Sequence, residues 1–177
     1  MSTIEEAVKS IWVAKIATSL VKLRKVRLPL YVLAVGTPTI SGDAIGPFAG
    51  TLIKQRAKWI PVTGTLAEPL TAQHLAKWAR WNKWYHNKKY QVIAIDAGYD
   101  PLSKGVFVSP TPLITHTFKL GDIAVVAIPE NRELHAVPLE EAFNLADVIA
   151  QAIIKCEREL KWGDDTEDED ETDEGGF

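Results

Sequence analysis

Two carboxylates stand where α/β chains commonly place their chemistry. Asp43 lies in the run Gly36-Thr37-Pro38-Thr39-Ile40-Ser41-Gly42-Asp43-Ala44-Ile45-Gly46-Pro47, between a short apolar run and a helical pattern. Asp96 ends a second apolar run, Gln91-Val92-Ile93-Ala94-Ile95-Asp96. Two carboxylates that share a cleft raise each other's proton affinity until the pair holds one proton. One member can then activate water while the other donates to a leaving group. If they diverge slightly they make half of a divalent metal site, for which His116 in Leu113-Ile114-Thr115-His116-Thr117-Phe118 is a natural third ligand. The structural reading of the same residues is that Asp43 caps its helix and Asp96 binds loop amides. Both readings stay open at this level.

Gly36, Gly42 and Gly46 also invite a phosphate-loop reading. The stretch does not follow G-x-x-x-x-G-K-S/T, and its glycine spacing is wrong for G-x-G-x-x-G. Cys156 is the only cysteine, so a disulfide framework and a cysteine-based zinc site are excluded. As a lone thiol in a helical pattern it reads as core filler.

The elements that position the two acids follow from periodicity. Leu30-Tyr31-Val32-Leu33-Ala34-Val35 and Val92 to Ile95 are continuous apolar runs bounded by turn residues, as expected of strands buried on both faces of a parallel sheet. The loop from Gly36 to Gly42 leads into a helix expected through about Lys58, with Pro47 in its first turn. Trp59-Ile60-Pro61-Val62-Thr63 reads as a short strand that its proline confines to a sheet edge. A helix is expected from about Thr71 to His86, then β segments at Gly105–Ser109, Leu113–Lys119 and Ile123–Ile128. A closing helix runs from about Leu139 to Leu160, with Ala142, Leu145, Ala146, Ile149, Ala150 and Ile153 as its apolar stripe.

The order α-β-α-β-α-β-β-β-β-α describes one three-layer α/β/α sandwich with a mixed, mostly parallel sheet. With a 2-1-3 order of the first three strands, Asp43 and Asp96 follow neighbouring strands at the point where strand order reverses, the usual ligand crevice of open α/β sheets. At the front of the chain, Ile4, Ala7, Val8, Ile11, Trp12 and Ile16 recur at helical spacing and need a surface to cover them. The body of the same domain is the default cover; a partner or a membrane surface is the alternative. The predicted organisation is an N-terminal helix over 1–28, an α/β domain over 29–162 and an acidic tail over 163–177.

Composition bounds the function classes. The 177 residues suffice for one domain with a full core, and 46% hydrophobic with 24% charged residues is ordinary for a globular protein. The formal charge of −3 conceals an asymmetry: nine acids and no base fall between Asp164 and Phe177, leaving the rest at +6. Such a tail cannot bury enough apolar surface to offset its ordering entropy and is expected to be disordered. No apolar run approaches the roughly 18 residues that span a bilayer, and no signal-peptide pattern opens the chain, so the expected location is cytoplasmic. Trp78, Trp81 and Trp84 repeat every third residue, which suits core packing or a homo-oligomer interface. Lysines and arginines interleave with them, but no nucleic-acid module accompanies the pattern, which argues against nucleic acid as a partner.

The residues also carry a family resemblance. Gly36-Thr37 through Gly42-Asp43-Ala44-Ile45-Gly46-Pro47 resembles the G-T-x-x-x-x-G-D-x-I/L-G-P signature of the YyaC-type sporulation proteins. Val62-Thr63-Gly64-Thr65-Leu66-Ala67-Glu68-Pro69, Ile93-Ala94-Ile95-Asp96-Ala97 and Gly121-Asp122-Ile123 match in order, over roughly Leu30 to Ile154. That family is similar to the spore germination protease and, more distantly, to hydrogenase maturation endopeptidases. The resemblance implies a phosphorylase/hydrolase-like, germination-protease-like sandwich whose pocket holds acids at the positions of Asp43 and Asp96. It implies a peptidase acting on a protein or peptide substrate; on that hypothesis Thr37, Ser41, Gly42, Gly46 and Glu68 line the pocket, and the Gly42–Gly46 amides near a helix N-terminus face the developing oxyanion. No cofactor is required on this reading; a divalent metal at Asp43, Asp96 and His116 is the variant seen in the hydrogenase enzymes. The other class of function is a non-catalytic protein that uses the same cleft to hold a peptide or a metal ion.

Overall fold

The computed structural model describes residues 3–75, 77–78, 90–98, 100, 102–115, 118–130 and 133–162. His116, Trp81, Trp84 and the acidic tail lie outside the described residues. The elements in chain order are α1 (Thr3–Leu23), β1 (Leu30–Ala34), α2 (Ile45–Arg56), β2 (Val62–Thr63), β3 (Gln91–Ala97), β4 (Gly105–Ser109), β5 (Leu113–Thr115), β6 (Phe118–Leu120), β7 (Ile123–Ile128) and α3 (Leu139–Trp162). Residues 72–75 and 77–78 are also helical, within the span expected to be a helix.

Every residue of β1 is buried, as a central strand covered on both faces requires. The sheet order is β2-β1-β3-β7-β4. β1 pairs in parallel with β2 on one side and β3 on the other, β3 pairs in parallel with β7, and β4 closes the far edge antiparallel to β7. The first three strands therefore take the 2-1-3 order, and Pro61 sits just before the edge strand, where its carbonyl accepts the Val32 amide at 2.9 Å.

Strand alternation divides the core into two layers. Val32, Ile93, Ile95, Ile123 and Val125 face α1, α2 and α3, while Tyr31, Leu33, Val35, Val92, Ala94 and Ala124 face Leu70, Leu75, Trp78, Leu113 and Leu120. The apolar stripe expected for the closing helix is the buried one: Ala142, Ala146, Ile149, Ala150 and Ile153 are sealed from solvent.

Two expectations need correction. The segment Leu113–Lys119 is not one strand but parts of two, β5 and β6, which pair antiparallel as a separate sheet. Of the apolar stripe that spacing suggests for α1, only Ile16 is buried, and the core face lies mostly on another side of the helix. Val13, Ile16, Ala17 and Leu20 enter the core, whereas Ile4, Val8, Ile11 and Trp12 are exposed. The helix carries apolar residues on more than one side, so periodicity alone does not choose between faces.

Buried polar groups bind the layers together. Arg24, at the end of α1, donates from Nε to Glu157 Oε1 at 2.6 Å and from Nη1 to Gln91 Oε1 at 2.6 Å, and it donates to the Leu28 carbonyl at 3.0 Å. Asp147 of α3 accepts from Lys9 of α1 and Arg56 of α2. Burial raises its proton affinity, but those two cationic donors outweigh it and hold the carboxyl below its ordinary range.

Candidate functional site

The site is built where β1 ends. The Val35 amide donates to the Ile95 carbonyl at 2.8 Å, which ties the exit of β1 to β3 one residue before Asp96. Gly36 follows with φ of 139°, and a Cβ there would stand 2.0 Å from the Asp43 carbonyl oxygen. A Cβ on Gly46 would stand 2.0 Å from the Val35 carbonyl oxygen. The glycines of the motif thus let the first turn of α2 pack its backbone directly on the end of the strand. That close approach, rather than phosphate binding, accounts for the glycine pattern.

Asp43 precedes Ala44, the residue at the helix N-cap position, and no side chain caps α2 there. Its Oδ2 turns instead to the Thr37 amide, which donates at 2.7 Å across the loop. The carboxylate therefore closes the loop it belongs to and leaves the helix end alone. Asp96 lies on the same face of β3 as Val92 and Ala94, opposite to α1, α2 and α3. Its Oδ1 accepts the Ala97 amide at 2.9 Å, and its cross-strand neighbour on β7 is Val126.

The two acids feel each other. Burial is the main cause that pushes the Asp96 carboxyl up to about 7, and the Asp43 charge adds to it against the opposing Ala97 amide. Asp43 is also raised by burial, against the amide of Thr37. Burial thus extends the range over which Asp96 keeps its proton toward neutrality, and the Asp43 charge works in the same direction.

The remaining motif residues are placed as follows. Thr37 contributes its amide to Asp43, and its hydroxyl meets that of Thr39 at 2.9 Å. The Ser41 hydroxyl donates to the Val137 carbonyl, and the Gly42 amide donates to the Leu134 carbonyl at 2.8 Å. The turn before α2 is thus clamped by the segment that leads into α3, a contact for which the sequence of 134–137 offers no signal. The Ala44 amide goes to Ile40 and the Ile45 amide to Gly42, so the amides of Gly42, Ala44 and Ile45 are spent inside the protein. The expected oxyanion hole is not formed by those three. Glu68 is exposed on a loop closed by reciprocal bonds with Thr65, its amide donating to Thr65 Oγ1 at 3.1 Å and the Thr65 amide to its carbonyl at 3.0 Å. That loop runs on to Leu70, which bridges Val35 and accepts the Gly36 amide at 3.1 Å.

Asp122, in the last of the matching motifs, is structural. It exchanges bonds with Val92, its Oδ2 accepting the Val92 amide at 2.8 Å and its own amide donating to the Val92 carbonyl at 2.7 Å. This sets the start of β7 against β3 and so the level at which Asp96 emerges. Cys156 is buried, and burial together with the Glu157 charge pushes its thiol up to about 12, which removes it as a nucleophile. Asp43 and Asp96 offer oxygen ligands to a divalent cation. Among the described residues no group of three metal-ligating side chains occurs.

Known proteins agree with this architecture. The crystal structure of a NiFe hydrogenase maturation protease, HycI from Thermococcus kodakarensis, superposes with a TM-score of 0.51 at 18% identity, over 77% of this chain and 99% of that one. That similarity establishes a shared fold. A relative by sequence is the uncharacterized protein YyaC of Bacillus subtilis (strain 168), 27% identical over 145 residues, 73% of this chain and 70% of the relative. The family described as protein of unknown function (DUF1256) matches residues 3–152, which takes in α1 and the whole sheet. The chain belongs to that family.

Proposed function

We propose that the chain is a peptidase-type hydrolase in which Asp43 and Asp96 share one proton and activate water against a peptide bond. The observation that carries this reading is the placement of Asp43 in the loop after β1 and of Asp96 near the end of the neighbouring parallel strand β3, each carboxyl with raised proton affinity. The fold shared with a protein named a maturation protease supports a protein or peptide as substrate. Asp96, the more strongly shifted acid, holds the proton; Asp43, steadied by the Thr37 amide, is the ionised partner. Asp43 takes a proton from water as its oxygen attacks the carbonyl carbon, and Asp96 passes its proton to the carbonyl oxygen. The tetrahedral gem-diol then expels the amine, which leaves with the proton Asp43 received, while one of its hydroxyls returns a proton to Asp96, giving the carboxylic acid and the starting state of both acids. Because three turn amides are occupied, the protonated Asp96 itself supplies the electrophilic contact that an oxyanion hole would otherwise give. Thr37 and the Glu68 loop border the cleft. A cytoplasmic setting in a sporulating cell belongs to the same reading.

The test is a peptide library digested by the wild type, Asp43→Asn and Asp96→Asn, with cleavage products read by mass spectrometry. Both substitutions should abolish wild-type cleavage while circular dichroism remains unchanged. Wild-type cleavage should also fall as pH rises past about 7, where Asp96 loses its proton. Identical product profiles from all three proteins would sink the peptidase. The occupied amides favour the second reading, a non-catalytic cleft for a peptide or divalent ion. Calorimetric zinc or nickel binding that disappears in Asp96→Asn and His116→Ala, without turnover, would establish it.

A further inference from the structure

A separate groove lies on the other face of the sheet. α1 commits only its second half to the core: no residue from Thr3 to Trp12 is buried, and Ile4, Val8 and Ile11 are 73%, 50% and 67% exposed. Ile4, Val8 and Trp12 form one wall of a cavity of about 680 Å³; Leu145 and Val148 of α3 form the other, and Val106 and Ile128 the floor. Trp12 is seated by Gly105, where a Cβ would meet its ring at 3.2 Å. Residues at spacings of four and eight on α1 extend the apolar wall over about 12 Å, two turns of helix. The cavity is within the size range of ligand sites, and its walls match the apolar face of a docked helix better than a compact solute.

Charge identifies the occupant. Glu5, Glu130, Glu140 and Glu141 line the groove, against Lys9 and Lys104. Both lysines already answer acids of the protein itself, Lys9 at Asp147 and Lys104 at Glu130. With Glu130 spent on Lys104 and Lys9 on Asp147, Glu140 and Glu141 leave the rim with an excess of negative charge around an apolar floor, which repels an anionic bilayer and attracts a cationic partner. We propose that this groove is a docking site for a basic amphipathic segment of a partner protein, its apolar residues between α1 and α3 and its lysines or arginines against the carboxylate rim.

The experiment uses the full chain and a fluorescein-labelled 14-residue helix of leucine and lysine, with leucines at spacings of three and four. A second peptide carries glutamate in place of each lysine. Fluorescence anisotropy should show micromolar binding of the lysine peptide and none of the glutamate peptide. Val8→Asp and Glu140→Lys, both at exposed positions, should each weaken the lysine peptide at least tenfold. Circular dichroism of the two variants shows whether they remain folded, and Val8→Gln supplies a gentler test of the same wall. Equal affinity in wild type and the folded variants, or equal binding of the two peptides, would overturn the proposal. So would sedimentation showing a dimer that Val8→Asp dissociates, since the groove would then be closed by a second copy.

Discussion

Replacing Asp96 by Asn should stabilise the protein in neutral and alkaline solution and leave it nearly unchanged in acid. Asn keeps an oxygen for the Ala97 amide and removes the charge that burial and Asp43 disfavour. The sign follows from linkage. An acid whose folded value stands at about 7, against an ordinary 3.8, binds more protons folded than unfolded between those two values. Wild-type stability therefore falls as pH rises through that window, and the loss is complete above it. At ~1.4 kcal/mol for each pH unit, the full gap approaches about 4 kcal/mol, a ceiling that water on the open side of the carboxyl lowers toward about 2 kcal/mol. For a chain of this size that is roughly 4–12 °C in Tm. Urea unfolding of wild type and Asp96→Asn at pH 4.5 and pH 8 gives the assay, read as the difference in midpoint at constant m. The variant's advantage should grow by about 1–3 kcal/mol between the two, part of the loss having already occurred by pH 4.5. A constant gap would show that folding leaves the proton affinity of Asp96 unchanged, and a gap that shrinks or reverses toward pH 8 that the folded protein favours the charged form; either would end the shared-proton argument.

Other perturbations probe other links. Asp43→Asn should lower the Asp96 midpoint, followed by carboxyl carbon NMR, yet leave it above the ordinary range, because burial is the larger cause and survives the change. Gly46→Ala places a methyl 2.0 Å from the Val35 carbonyl oxygen and should cost about 3 kcal/mol or more in urea unfolding, since backbone on both sides must move. Arg24→Met strands the buried Glu157 and should cost about 3–5 kcal/mol; adding Glu157→Leu should recover most of it if the loss is an uncompensated charge.

The parts of the fold legible in the chain are those decided by local pattern. Leu30 to Val35 is apolar at every position and bounded by turn residues, which suits a strand covered on both faces, and β1 is that strand. Pro61 cannot donate to a ladder, so it marked its strand for the edge that β2 occupies. The 2-1-3 order then placed Asp43 and Asp96 after neighbouring strands. Where local pattern was ambiguous, reading failed. α1 is apolar on more than one side, and only packing against α3 selects Val13, Ile16, Ala17 and Leu20. Between β5 and β6 the sequence has His116 and Thr117, with no glycine, asparagine or proline to announce a reversal.

The candidate site divides along the same line. Residue types and spacing determined that two acids would flank the carboxyl ends of parallel strands, because chain order and strand burial are properties of short segments. Only the tertiary structure decided what the acids are. Asp43 serves the Thr37 amide rather than its helix, Ser41 and Gly42 are claimed by Val137 and Leu134, and burial, with a smaller contribution from the Asp43 charge, raises the proton affinity of Asp96. Proton affinity depends on everything within a few ångströms in space, and those neighbours come from segments distant in the chain.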